Sequence, residues 1–136
     1  MSELLQKQFR FSKMIAELVI WLYEQGYTVQ QGDAWRSTDK LYVPSGVAGF
    51  EDDEQYSYQE MLFYNKKTKV TYSKHNDRLA NDLLIWKNFK QLTSEEYRPI
   101  GEKWESMGGK WGGRFGIIKE EYNVKIGWDC QHFEIG

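Results

Sequence analysis

The sequence predicts a mixed α+β fold in one domain, residues 1–136. Three observations carry this prediction. An apolar stripe at helical spacing runs through the N-terminal segment. Short apolar runs bounded by turn residues follow it. A second, capped helical pattern then lies ahead of a Gly-rich turn and a strand-like C-terminal end. No internal repeat, low-complexity tract or linker divides the chain.

In "FSKMIAELVIWLY", residues 11–23, Phe11, Met14, Ile15, Leu18, Val19 and Leu22 share one helical face, and Gly26 supplies a stop. The spacing predicts a helix over 10–25. "YTVQQGDAWR" reads as a short strand, 27–35, ending at Arg36. Residues 37–60 are polar and turn-rich, with Pro44, Gly46, Gly49 and the acidic run "EDDE" at 51–54. That run reads as a solvated loop, since the spacing of an EF-hand calcium loop is absent. "QEMLFYNKKTKV" begins as a helix, and "DLLIW" at 82–86 reads as a buried strand.

The pattern "TSEEYRPIGEKWESMGG" is a clearer helix. Thr93 and Glu96 have capping-box spacing, and Pro99 falls in the first turns, where its missing N–H is tolerated. Tyr97, Ile100, Trp104 and Met107 form the apolar stripe, and Gly108 ends it. "WGGRFG" at 111–116 is a Gly-punctuated turn, and "KIGWDCQHFEIG" closes as a strand.

Composition narrows the function classes. A chain of 136 residues that is 40% hydrophobic and 16% aromatic can bury a core and is not of the disordered class. A formal net charge of −2 gives no electrostatic footprint for nucleic acid. The sequence contains no apolar run of the roughly 18 residues that a membrane helix needs, so no stable membrane insertion is expected. "MSELLQKQFR" lacks the basic and apolar regions of a secretory signal, which predicts synthesis in the cytoplasm without a leader. Cys130 is the sole cysteine, which excludes an internal disulfide and a CxxC zinc ribbon. Nothing in the pattern calls for a partner copy, so a monomer is expected.

The two histidines each lie near a carboxylate. His75, in "SKHNDRLAND", is followed by Asp82, and His132, in "WDCQHFE", is preceded by Asp129. Two imidazoles and one carboxylate suit a catalytic zinc, which commonly takes three protein ligands and keeps one position open. His75, Asp82 and His132 are that candidate set. Asp129, three residues before a ligand, is the candidate general base toward the attacking water. On a continuous strand, positions 75 and 82 point to opposite sides, as do 129 and 132. The set therefore requires a bend at "NDR" and another near Cys130. By spacing alone, structurally hydrogen-bonded histidines beside ordinary surface acids are the stronger reading, since the far more specific HExxH pattern is absent.

The motifs taken together shift that balance. "SKHNDRLAND" resembles the first metal motif of the M15 zinc peptidases, Ser-x-His-(x)6-Asp. "WDCQHFEI" resembles their second, an acidic residue, two spacers, His and an aromatic. "WGGRFG" is similar to the Gly-Gly segment of phage-type members, and "GDAWRS" to the segment bearing a substrate-facing Arg. The order matches across roughly residues 9–135. The resemblance implies a small antiparallel sheet flanked by helices and one Zn2+ per chain on His75, Asp82 and His132. It also implies Asp129 as catalytic base and acid, and Arg36 as the group that steadies the developing oxyanion. Many members carry Gly where this chain has Arg78; because Arg enters the left-handed region only at a cost, the loop is expected to turn differently here.

The implied activity is bacteriolytic hydrolysis of the L-alanyl-D-glutamate bond in peptidoglycan stem peptides, in a phage or prophage endolysin that reaches the cell wall after holin-mediated release. D-alanyl-D-alanine carboxypeptidase activity is the alternative within the family, and a non-catalytic wall-binding or phage structural module is the alternative outside it. Ser73 is a candidate for substrate binding or loop support, and Glu134 for a hydrogen bond to a ligand histidine if strand alternation puts it on the face of His132. Trp111 and Trp128 are expected in the core, Cys130 as a half-buried thiol turned away from the site, and residues 117–125 as an added rim loop.

Overall fold

The computed structural model describes residues 1–34 and 74–136, together with the backbone of 40–42 and 55–57. Arg36, Ser73, the acidic run at 51–54 and the helical pattern at 59–70 lie outside the described residues.

Helix α1 spans Glu3–Glu24 and buries Phe11, Met14, Ile15, Leu18 and Leu22. It starts well before the apolar stripe because Ser2 caps it: the Ser2 hydroxyl oxygen accepts the Leu5 N–H at 3.1 Å. The intervening "ELLQKQ" consists of strong helix formers. Gly26, at φ 87°, follows the helix in the left-handed conformation expected of a stop.

Strand β1 (Thr28–Gln31) is shorter than the predicted 27–35, and a two-stranded antiparallel pair, β2 (Lys40–Tyr42) and β3 (Gln55–Ser57), stands inside the segment read as loop. β4 (Ala80–Lys87) extends the predicted strand at both ends, and a tight turn leads to β5 (Lys90–Gln91). Asn88 and Phe89 take φ 52° and 64° in that turn, the signature of a type I′ hairpin. An Asn-Phe pair does not announce such a turn as Asn-Gly would.

The predicted second helix divides into a 3-10 turn, Glu95–Tyr97, and α2, Arg98–Ser106. Glu96 reaches back to accept the Thr93 N–H at 3.1 Å, and Gly108 ends the segment at φ 97°. β6 (Lys110–Trp111), 3-10 turns over Gly112–Arg114 and Lys119–Glu121, and β7 (His132–Glu134) complete the described chain.

The sheet runs in the order β1-β4-β7-β6, with β5 paired to the end of β4, and these pairings are antiparallel. The fold is α+β, a small antiparallel sheet flanked by helices. Its core joins the buried stripe of α1 to Leu83, Ile85 and Phe133 of the sheet and to Tyr97, Ile100, Trp104 and Trp111. Trp104 is the hinge of this packing. Its ring meets Phe11 and Phe133 edge-on, each at 6.0 Å, while its indole N–H faces the carbonyls of Lys110 and Glu134. Tyr97 ties α2 to the sheet: its hydroxyl donates to the Leu83 carbonyl at 3.0 Å and accepts the Ile85 N–H at 2.9 Å. Both residues flank Leu84, two positions past Asp82, so this bond steadies the strand that carries a site residue.

Candidate metal centre

β4 and β7 are paired so that Asp82 lies directly opposite His132. Asp82 is held further by its backbone, whose carbonyl accepts the Gly32 N–H and whose N–H donates to the Asp33 carbonyl, both at 2.8 Å. His75 arrives from a separate turn over 74–78. The bend that the spacing demanded is there, and Arg78 supplies it at φ 60°. The expectation of a different turn is therefore corrected. The loop keeps the left-handed residue at that position, at a strain of about 1–2 kcal/mol for an L side chain.

A second turn over 128–131 brings Asp129 and His132 to one side, with the His132 N–H donating to the Asp129 carbonyl at 3.0 Å. Gly112 makes room for it. A Cβ there would stand 2.0 Å from the Asp129 carbonyl oxygen and 2.8 Å from the His132 Cβ. The Gly-Gly pair is thus a close-approach device beneath the site.

The two imidazoles have their tautomers set by their outer partners. His75 Nδ1 faces the Ala34 carbonyl oxygen at 3.0 Å, and His132 Nε2 faces Glu134 Oε1 at 2.8 Å. A carbonyl and a carboxylate only accept, so these two nitrogens carry hydrogens. When the rings are neutral, His75 Nε2 and His132 Nδ1 then present lone pairs. These two nitrogens are 3.2 Å apart, and Asp82 Oδ1 lies 3.2 Å from the first and 3.3 Å from the second.

Three electron-pair donors at such spacing suit a cation between them. Bonds of about 2.0–2.1 Å in a tetrahedral zinc site place neighbouring ligand atoms about 3.3 Å apart. His75, Asp82 and His132 form the group among the described residues that can hold a metal ion. The donor set, two nitrogens and one oxygen with both outer ring nitrogens engaged, fits zinc.

The electrostatics of the protein groups agree. Burial pushes the Asp82 carboxyl up, but hydrogen bonds from His132 and His75 outweigh it and hold it at about 2. Burial pushes the His132 imidazole down, but hydrogen bonds to Asp82 and Glu134 and the charge of Asp129 outweigh that and raise it to about 9. Asp82, Glu134 and Asp129 thus surround His132 with negative charge, which favours a positive occupant. His75 and His132 are buried, whereas the Asp129 side chain is 32% exposed, with Oδ2 3.6 Å from His132 Nδ1. Asp129 therefore sits beside His132 Nδ1 and is more exposed than the two histidines.

The structure thus brings together His75, Asp82, His132, Asp129 and Glu134. The sequence reading missed the Ala34 carbonyl, which no side-chain pattern reports. It also missed the Phe115 ring, which lies 5.4 Å from that of His132; its place in "WGGRFG" was the available signal. Trp111 is buried as expected, but Trp128 is not: the residue is 51% exposed. The 128–131 turn that aligns Asp129 with His132 swings the indole outward onto Phe115, ring centroids 5.5 Å apart. Cys130 is half-buried with Sγ 3.8 Å from Ser94 Oγ, and burial pushes its thiol pKa up. Residues 117–125 are fastened rather than loose, because the Tyr122 carbonyl accepts from both Arg98 and Arg114. Arg114 also grips Glu105 through two bonds of 3.1 and 3.0 Å.

No family model matches the sequence, and no curated protein sequence does so either. Among solved structures, the chain is similar in fold to the Serratia marcescens L-Ala D-Glu endopeptidase ChiX. The TM-score is 0.56 at 14% identity, over 92% of this chain and 79% of that one. That likeness shows a shared fold, the small antiparallel sheet flanked by helices. Placed on this architecture is a His-Asp-His cluster able to hold a metal ion.

Proposed function

We propose that this protein is a zinc-dependent peptidoglycan peptidase that hydrolyses the L-alanyl-D-glutamate bond of stem peptides. One observation carries the reading: three donor atoms 3.2–3.3 Å apart, with both imidazoles locked from behind by Ala34 and Glu134. The fold shared with an L-Ala D-Glu endopeptidase and the order of the sequence motifs support this substrate class. The phage setting, with cytoplasmic synthesis and action on the wall after release, rests on the sequence resemblance.

In this mechanism His75, Asp82 and His132 would hold one zinc ion. An ion held there would supply Lewis acidity toward a water and a substrate carbonyl. Asp129 takes the proton of the attacking water at its carboxylate and returns it to the leaving amine. Its partial exposure lets it face substrate, and the turn that bonds its carbonyl to the His132 N–H fixes its distance from the ligands. Glu134 and the Ala34 carbonyl orient the two rings. Arg36 is assigned to the developing oxyanion and Ser73 to substrate or loop support, both from the motif resemblance.

The test pairs metal content with lysis of purified peptidoglycan for wild type and Asp129→Ala. About one zinc per chain in both proteins, with lysis by wild type alone, is the expected outcome. Mass spectrometry of the fragments names the bond: a new D-glutamate amino terminus is expected, whereas free D-alanine identifies a carboxypeptidase. No zinc in wild type after reconstitution refutes the ligand set. Equal lysis by both proteins removes Asp129 from the mechanism.

A further inference from the structure

His75 reaches the candidate metal centre on a turn that closes on itself. The Leu79 N–H donates to the Lys74 carbonyl at 2.9 Å, and the Arg78 N–H donates to the His75 carbonyl at 3.2 Å. These nested bonds, with Arg78 left-handed at φ 60°, form a Schellman turn, in which glycine usually takes the left-handed place. A non-glycine residue keeps that conformation only where the surrounding structure over-determines it. The restraints come from outside the turn. At its exit, Leu79 is buried and its carbonyl accepts the Ile135 N–H at 3.1 Å, just past β7. At the ring, the Ala34 carbonyl oxygen faces His75 Nδ1 at 3.0 Å. A further restraint comes from helix α1: Gln8 Nε2 donates to the Asp77 carbonyl at 2.8 Å, across 69 positions of sequence.

Gln8 is built for that reach. It is half-buried and stands one helical turn ahead of Phe11, which is buried with its ring edge-on to Trp104. The core therefore fixes the root of the side chain while the amide extends to the turn. A carbonyl oxygen needs a donor, and the glutamine amide supplies an N–H without adding a charge. The contact also gives a purpose to the polar opening of α1, which runs ahead of the buried stripe.

The Asp77 carbonyl belongs to the peptide unit that leads into Arg78, so the Gln8 bond holds the plane of the peptide entering the left-handed residue. Without that bond the turn populates further arrangements. Only the fraction that keeps His75 Nε2 near His132 Nδ1 and Asp82 Oδ1 is ready for an ion, and apparent affinity falls in proportion to that fraction.

We propose that Gln8 is a positioning residue for the metal centre: from helix α1 it holds the 74–78 turn in the one arrangement that presents His75 to a metal ion. The inference rests on the ligand set proposed above and deepens it, and it is independent of which peptide bond is cleaved.

The test is zinc affinity of the full chain, by competition with a chromophoric chelator, together with amide hydrogen exchange of the metal-free protein. Gln8→Glu keeps the length but offers a carboxylate that only accepts, Gln8→Ala removes the group, and Gln8→Lys restores a donor. Gln, Glu, Ala and Lys are all strong helix formers, so α1 itself is preserved. Gln8→Glu and Gln8→Ala are expected to lose about fivefold in zinc affinity, the scale of one hydrogen bond. The Arg78 and Leu79 N–H groups of these metal-free variants are expected to exchange about fivefold faster than in wild type. Gln8→Lys is expected to stay within about twofold of wild type in both readouts. Thermal midpoints report folding. A folded Gln8→Glu that binds zinc as tightly as wild type overturns the proposal, even if its midpoint is lowered, because the bond then serves stability alone. An equal loss in Gln8→Lys overturns it too, since a restored donor should restore the turn. A wild type that binds no zinc refutes the ligand set itself, and this inference falls with it.

Discussion

Removing the Glu134 carboxylate tests whether the candidate site is organised from behind. Glu134 Oε1 receives the His132 Nε2 hydrogen at 2.8 Å, with side chains only 14% and 6% exposed. The Glu134 backbone is fixed on both flanks, opposite Ala80 and Lys110, and its carbonyl accepts the Trp104 indole N–H at 3.0 Å. The carboxylate is thus delivered from a rigid position and sets the tautomer that leaves the His132 Nδ1 lone pair for a metal. Loss of such an outer partner typically weakens metal affinity by about 10–100-fold, or about 1.4–2.7 kcal/mol. Glu134→Ala is expected to fall in that range. Glu134→Gln keeps an oxygen that accepts the same hydrogen but loses the charge, so its loss is expected below about tenfold. The assay is competition for zinc against a chromophoric chelator at neutral pH, with the thermal midpoint of each protein as the folding control. A folded Glu134→Ala that binds zinc as tightly as wild type refutes the argument that this carboxylate orients the ligand.

Other consequences concern the scaffold around the site. Tyr97 is fully buried, and burial pushes its phenol up to about 12. A raised folded-state pKa gives stability that is complete below the unfolded value of about 10 and is lost as pH rises through about 12, up to about 2.7 kcal/mol. Tyr97→Phe should lose about 1–3 kcal/mol at neutral pH, because the Leu83 carbonyl and Ile85 N–H lose their shared partner, and should show a smaller alkaline decline. Urea unfolding at neutral and alkaline pH checks both; parallel alkaline declines in the two proteins contradict the assignment. Gly112→Ala places a methyl 2.0 Å from the Asp129 carbonyl oxygen and should cost about 1–3 kcal/mol. It should also weaken zinc binding, read by calorimetry; unchanged stability and affinity contradict the close-approach argument. Trp104→Ala removes a fully buried ring and the donor to the Lys110 and Glu134 carbonyls, and should cost about 3–5 kcal/mol by denaturant titration. A loss below 1 kcal/mol there, on the order of a surface change, contradicts its central role in the core.

What the sequence determined by itself was what periodicity and local chemistry control. The stripe from Phe11 to Leu22, the capped segment ending at Gly108, and the apolar strand around Leu83 and Ile85 bury most of the residues their spacing indicates, with Val19 and Met107 only partly covered at the edge of the core. Both histidines and their carboxylate neighbours were legible as candidates, and so were the two bends the set requires. Register and direction were not legible, because they depend on residues far apart in the chain. Only strand pairing puts Asp82 opposite His132, and only the left-handed Arg78 turns His75 toward both. The Ala34 carbonyl that fixes one imbidazole edge is a backbone atom with no sequence signature, and Trp128 faces outward because the turn that aligns Asp129 with His132 leaves it no place in the core. The residues named the chemistry; long-range pairing decided whether their lone pairs meet.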